Sequence, residues 1–289
     1  MRILLLGADG QVGHELCGPL ATIGELAALR RADCDVTDSE ALAAALRAGR
    51  PNLIVNATAY NAVDRAEDEA EIATAVNEKA VAQLGELALE LRAGLIHMST
   101  DYVFDGKTTR PYREDDPTAP LSVYASSKLA GEKALRDLGA PALVFRTSWV
   151  FSRRPCFLSR MLRLAEEREE LSVAHDQMSC PTFARDLAAA IAMVAYGFRH
   201  GPHAALTEHQ GVYHLCGSGV ASRWELVREA IARDPRPSKV EAIHPVPAST
   251  FPTKAERPHY SAMDCTLAAE RFGVRLPHWR DGVRRLFAP

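Results

Sequence analysis

The stretch "MRILLLGADGQVG" constrains this chain more than any other. The apolar run "ILLL" stops at Gly7, and Gly10 and Gly13 follow at equal spacing before the amphipathic "HELCGPLATIG". A short, wholly apolar run bounded by glycine predicts a strand buried on both faces, and the segment after it predicts a helix. Each glycine has a separate physical use. Gly7 permits a tight turn, Gly10 lets a phosphate approach the backbone, and Gly13 lets the helix pack closely. The helix start then offers free N–H groups and the positive end of its dipole to an anion. The spacing is G-x-x-G-x-x-G and not the commoner G-x-G-x-x-G. Its position directly after the first strand identifies it as a dinucleotide loop.

The alternation continues through the first two-thirds of the chain. "ELAALR", "PNLIVNATA", "GLIHMSTDYVF" and "PALVFRTSWV" read as strands. "TDSEALAAALRAG", "EIATAVNEKAVAQLGELALELRAG" and "LSVYASSKLAGEKALRDLG" read as helices between them. This order predicts an α/β fold, a Rossmann-like, doubly wound parallel sheet covered on both faces. After Val150 the pattern loosens. "RMLRLAEEREE" and "ARDLAAAIAMVAYG" predict helices, "LSVA" a short strand, and "GVYHLCG" a further sheet strand. Beyond Ser222, two helical stretches flank the proline-rich "HPVPASTFPTKAERPHYSAMD". Residues 1–150 are expected to form the dinucleotide-binding domain. Residues 151–289 are expected to form a smaller C-terminal substrate lobe interleaved with the main sheet.

Bulk properties exclude several function classes. A net charge of −3 and a pI near 6.4 argue against nucleic-acid binding. No apolar stretch is long enough to span a membrane, and "ILLL" is too short for a signal-peptide core, so a cytoplasmic protein is expected. The six cysteines contain no C-x-x-C pair, and the ten histidines show no H-x-x-x-H spacing. They are expected to be free thiols in a reducing compartment, with no metal site.

The second strand ends "AALRRADCDV". Arg30 and Arg31 could hold a ribose 2′-phosphate through bidentate charge-assisted bonds, or could be solvated surface arginines. The reading leans to NADPH and leaves NADH open. Asp35 and Val36 follow where an adenine contact is expected.

"VYASSKLAGE" places Tyr124 and Lys128 four residues apart, on one face of a helix. A phenol titrates near pH 10 and is a poor acid–base group at neutral pH until a neighbouring cation stabilises its anion. "MSTDYVF" brings Ser99 and Thr100 to the carboxyl edge of the sheet, where doubly wound folds bind ligands. Thr100 can hydrogen-bond a substrate oxygen, and Lys128 can hold ribose hydroxyls. In this setting the Y-x-x-x-K pair resembles the short-chain dehydrogenase/reductase superfamily.

The resemblance narrows with "NATAYNAVDRAE", "STDYVFDG", "RTSWVF", "DQMSCPT" and "ERPHYSAMD". Together they look like the dTDP-4-dehydrorhamnose reductase family, over nearly the whole chain. The resemblance implies hydride transfer from NAD(P)H to C4 of dTDP-4-dehydro-6-deoxy-L-mannose, with Tyr124 as proton donor. By position it implies cofactor contacts from Gly10, Gln11, Val12, Asp35, Val36, Ala59, Tyr60 and Asn61, with Tyr124 and Lys128. It implies substrate contacts from Thr100, Asp101 and Trp149. Arg257 is a candidate for a substrate phosphate. Some family members carry a magnesium ion between subunits through glutamates. Glu15 fits that pattern, but Arg185 stands where a second glutamate would, and an arginine repels a divalent cation. No metal is therefore expected, and the chain is expected to be a monomer or homodimer. Two other readings stay open: another nucleotide-sugar oxidoreductase or epimerase on the same fold, and a non-catalytic NADP-binding regulatory subunit. The dehydratases of the fold carry T-D-E where this chain has Thr100, Asp101 and Tyr102. The intact Thr100, Tyr124 and Lys128 set argues against the regulatory role.

Overall fold

The computed structural model describes residues 1–288. Six parallel strands form the central sheet, in the spatial order Gly211–His214, Ala142–Thr147, Gly94–Thr100, Leu53–Asn56, Arg2–Leu6, Glu25–Leu29. The chain starts in Arg2–Leu6, steps one way to Glu25–Leu29, and then runs in the other direction. That reversal opens a crevice at the carboxyl ends of the first and third strands.

Strand alternation explains the two-sided burial. Ile3, Leu5, Val55, Ile96 and Phe145 face one layer, formed with Leu16 and Leu20 of helix Gln11–Ala21 and Leu187 and Ile191 of helix Ala184–Gly197. Leu4, Leu6, Ile54, Leu95 and Val144 face the other, against Leu42, Leu46, Leu84 and Leu135. Those four come from helices Ser39–Gly49, Ala80–Leu91 and Val123–Asp137. With both faces covered, apolar residues at every strand position are required rather than tolerated.

The second half of the chain serves both layers of the molecule. Strand Gly211–His214 extends the main sheet beside Ala142–Thr147, and helix Ala184–Gly197 packs on it. The rest builds a separate apolar cluster from Phe151, Leu158, Met161, Phe183, Leu226 and Trp279.

Three expectations are corrected. The helix from "EIATAVNEKAVAQLGELALELRAG" is not uniform: Ala70–Thr74 passes through a π-helical turn, Ala75–Lys79, into Ala80–Leu91. At this turn the neighbouring helix comes close: a Cβ on Gly131 would lie 2.2 Å from the Asn77 carbonyl oxygen. A strand at Ala242–Val246 went unread, because Pro245 and Pro247 break the strand pattern in sequence. It pairs in parallel with Glu170–Ala174 in a two-stranded sheet, an edge position where a proline costs no ladder bond. The last third also holds short helices at Pro202–Glu208 and Trp279–Leu286, besides Arg223–Arg233 and Thr266–Phe272.

Candidate functional site

The glycine loop has the geometry its residues predict. Gly7 adopts φ +80°, and its N–H and that of Ala8 both donate to the Leu29 carbonyl, closing the turn onto the second strand. A Cβ on Gly13 would sit 2.0 Å from the Gly7 carbonyl oxygen, so only glycine lets the helix start this close. Gly10 is the N-cap and offers no side chain to the first turn, which carries no acidic residue. The opening N–H groups are left to an external anion, and the cradle therefore fits a dinucleotide pyrophosphate. Gln11 is tied to the far side of the crevice, where its Oε1 accepts from Ser152 Oγ at 3.1 Å.

Arg30 is exposed, and its guanidinium is already forked onto Asp33, at 2.9 and 3.1 Å. That pair holds the Asp33 carboxyl down at about 2, through hydrogen bonds from the Arg30 side chain and backbone. An incoming 2′-phosphate would compete with Asp33 for the same donors. Arg31 reaches Asp35 at 3.5 Å, and Asp35 accepts the backbone and hydroxyl hydrogens of Thr37. Val36 is buried. Ala59 and Asn61 are exposed on the loop after the third strand, and Tyr60 between them donates its hydroxyl to Glu69.

Asn77, in the π turn, clamps this loop to the helix that carries Tyr124. Its Oδ1 accepts the Tyr60 N–H at 2.9 Å, and its Nδ2 donates to Tyr60 O and to Ser127 Oγ, each at 3.0 Å. The helix itself starts at Val123 with Ser122 as cap, so Tyr124 lies in its first turn and Lys128 one turn deeper.

Thr100, at the end of the fourth strand, lies against the Tyr124 phenol. Burial raises the phenol pKa, and the Thr100 hydroxyl partly offsets this. The phenol is therefore held protonated, the form a proton donor needs. Lys128 is fully buried. Its Nζ donates to the Met98 carbonyl at 2.6 Å and lies 3.3 Å from His97 Nε2. Burial lowers its pKa to about 8, with Glu132 opposing. Behind it, Arg146 and Glu132 form a buried ion pair at 2.6 Å, and Ser99 donates to the same carboxylate.

Asp101 is placed differently from expectation. It was expected at the sugar, but it is 2% exposed and its carboxylate accepts from Ser148, Ser179 and Ser261, at 2.9, 3.0 and 2.5 Å. Its acceptor capacity is spent on holding the two halves of the chain together. Arg257 is likewise engaged, since its fork meets Asp64 at 2.7 and 3.1 Å and ties the two halves of the chain together. Glu15 accepts from Arg185 at 3.3 Å, and Asp186 pairs with Arg285.

Trp149 sits at φ +39°, a strained conformation for an aromatic residue, and its buried Nε1 has no partner among the described residues. Above its ring, at 4.2 Å, lies the guanidinium of Arg223, which also covers Phe157 at 4.7 Å and bonds Gln177 and Tyr102. Sequence reasoning missed Arg223 because nothing local marks it. It borders a cleft of about 1090 Å³ in the second half of the chain, whose walls include Arg160, Gln177, Lys254 and Arg257.

The full chain, residues 1–289, matches the family model described as the RmlD substrate binding domain. A dTDP-4-dehydrorhamnose reductase of Burkholderia thailandensis is 42% identical over 291 residues, covering 98% of this chain and 97% of the relative. The dTDP-4-dehydrorhamnose reductase of Escherichia coli K12 is also 42% identical, over 99% and 97% of the two chains. Among solved structures, the dTDP-4-dehydrorhamnose reductase of Bacillus anthracis in complex with NADP superposes with a TM-score of 0.89 at 30% identity, over 99% of this chain and 98% of that one. Matched from end to end by that model and over nearly their whole length by these relatives, this chain belongs to the dTDP-4-dehydrorhamnose reductase family.

Proposed function

We propose that this chain reduces the C4 ketone of dTDP-4-dehydro-6-deoxy-L-mannose to give dTDP-L-rhamnose, with Tyr124 as the proton donor. The protein is an NADP-dependent oxidoreductase of this family. The single observation that carries the assignment of roles is the convergence of Thr100 and Tyr124, with Lys128 beneath, at the carboxyl edge of the sheet beside the glycine cradle.

A bound nicotinamide supplies the hydride. The chain's own groups do the rest. Gly7, Gly10 and Gly13 shape the pyrophosphate seat. Gln11, Val12, Asp35, Val36, Ala59, Tyr60 and Asn61 line the path of the cofactor, with Arg30 at a 2′-phosphate once Asp33 yields. Thr100 orients the substrate oxygen, and Tyr124, kept protonated by burial, passes its proton to that oxygen as negative charge develops. An ammonium at Lys128 stabilises the phenolate left behind. The second-lobe cleft, with Arg160, Arg223 and Lys254 on its walls, suits the nucleoside diphosphate, and residues 151–289 serve as the substrate lobe. Trp149 would lie near the sugar, beneath the Arg223 guanidinium.

The test is cofactor oxidation followed by absorbance, with the sugar nucleotide made in situ by its epimerase. Oxidation should require both protein and sugar. Tyr124→Phe should lower kcat about 10²–10⁴-fold, with KM little changed. Undiminished turnover in Tyr124→Phe would remove the proton-donor role.

A further inference from the structure

Four residues beneath Tyr124 form a chain whose protonation pattern is fixed by geometry. Asn56 Oδ1 accepts from Thr58 N–H at 3.0 Å and from the Thr58 hydroxyl at 2.6 Å. The oxygen end of this amide is thereby fixed, and Nδ2 faces His97 Nδ1 at 3.0 Å. A donor directed at Nδ1 requires a lone pair there. His97 is fully buried, which strongly disfavours the imidazolium. The ring is neutral, and its single proton is on Nε2.

That proton points at Lys128 Nζ, 3.3 Å away. An ammonium has three donors and no lone pair, so it would oppose Nε2–H donor to donor inside the sheet. An amine has one lone pair and two hydrogens. It can accept from His97 and still donate to the Met98 carbonyl at 2.6 Å. We propose that His97, held in the Nε2–H form by Asn56, is a positioning residue that seats the uncharged amine of Lys128 and so lowers the pH at which Lys128 gives up its charge.

The charges around Lys128 do not override this. On its own helix the charged group acting on it is Glu132, which favours the ammonium but is shared by Arg146 and Ser99. Asp101 acts on the phenol and is held by three serines. Glu67 and Glu78 lie on the outer side of the helix beside Ser126, and Lys79 is exposed. The lowering of the Lys128 pKa to about 8, by burial, is in keeping with the amine seat.

The test is nuclear magnetic resonance on protein labelled with ¹⁵N in histidine and lysine, without sugar. His97 should show a bare Nδ1 and a protonated Nε2, and Lys128 should titrate near pH 8. In Asn56→Asp the new carboxylate should draw the ring proton to Nδ1. The freed Nε2 would then accept from the ammonium, and the Lys128 titration should rise by about one pH unit, a tenfold change in proton affinity. His97→Gln adds no charge and can offer Lys128 a carbonyl, so it should raise the titration in the same direction. A parent protein with its proton on Nδ1, or a Lys128 titration unmoved in His97→Gln, overturns the proposal. In parallel, the alkaline fall of kcat should follow the Lys128 titration in each protein. This readout alone rests on the reductase reading. Absent sugar reduction with the expected resonance shifts would count against that reading and not against His97.

Discussion

Gly131→Ala tests the seam between the π turn and the helix that carries Tyr124. The added methyl would meet the Asn77 carbonyl oxygen at 2.2 Å, whereas C···O contacts settle at about 3.3 Å or more. The two elements must part by about 1 Å. The three Asn77 side-chain bonds, now at 2.9, 3.0 and 3.0 Å, cannot all follow. Overpacking costs about 2 kcal/mol, the middle of its usual range, and the loss of one or two bonds about 1–2 kcal/mol more, so a loss of about 3–4 kcal/mol is expected. At about 2 °C per kcal/mol for a chain of this size, the melting temperature should fall by about 6–8 °C. The assay is thermal unfolding by circular dichroism. Gly197→Ala, at the exposed last position of helix Ala184–Gly197 with open space around it, is the control and should stabilise by up to about 1 kcal/mol. Because Ser127 lies between Tyr124 and Lys128, kcat should fall alongside stability. A melting point within about 1 °C of the parent would mean that the close approach can relax cheaply, and would refute the argument.

Arg30→Ala should weaken NADPH more than NADH in a fluorescence titration, and Asp33→Ala should strengthen NADPH by freeing the fork; equal effects on both cofactors would remove Arg30 from the 2′-phosphate. Glu132→Gln leaves the Arg146 charge buried without its partner and should cost about 3–5 kcal/mol in urea unfolding. Arg223→Ala should raise KM for the sugar nucleotide with little change in NADPH affinity; an unchanged KM would leave Arg223 as lobe packing. Acid should destabilise through the buried histidines. His214 is pushed down to about 3 by burial, and His97 is also lowered, so the unfolded chain binds more protons below the ordinary histidine pKa. Stability should therefore fall as pH drops from about 6.5 toward 4, by up to about 1.4 kcal/mol per unit for each histidine.

What was legible in sequence is what depends on spacing along the chain. The glycine loop, the buried strands and the Tyr124–Lys128 pair follow from local periodicity. The Arg30–Asp33 fork, at a spacing of three residues, carried a local signal that went unused. The rest depends on contacts between distant residues. Asn77 meets Ser127 across 50 positions and His97 meets Lys128 across 31, and neither has a local signature. Asp101 reads as a sugar ligand from its neighbours, because the three serines that occupy it come from separate segments. Arg223 reads as an ordinary helix-start arginine until Trp149 and Phe157 are seen beneath it.

The Asp101 carboxylate has a consequence for the time course of folding. Its partners lie 47, 78 and 160 residues later in the chain. During synthesis the strand that ends at Thr100 emerges before Ser148 and Ser179 and long before Ser261, so the acid gains its partners one after another. Such long-range closure is slow, because the loop entropy is lost before the contact repays it. Until Ser261 is made, the carboxylate lacks one of the three hydroxyls that hold it in the finished protein. Completion of the last segment is then the event that seals the interior of the first.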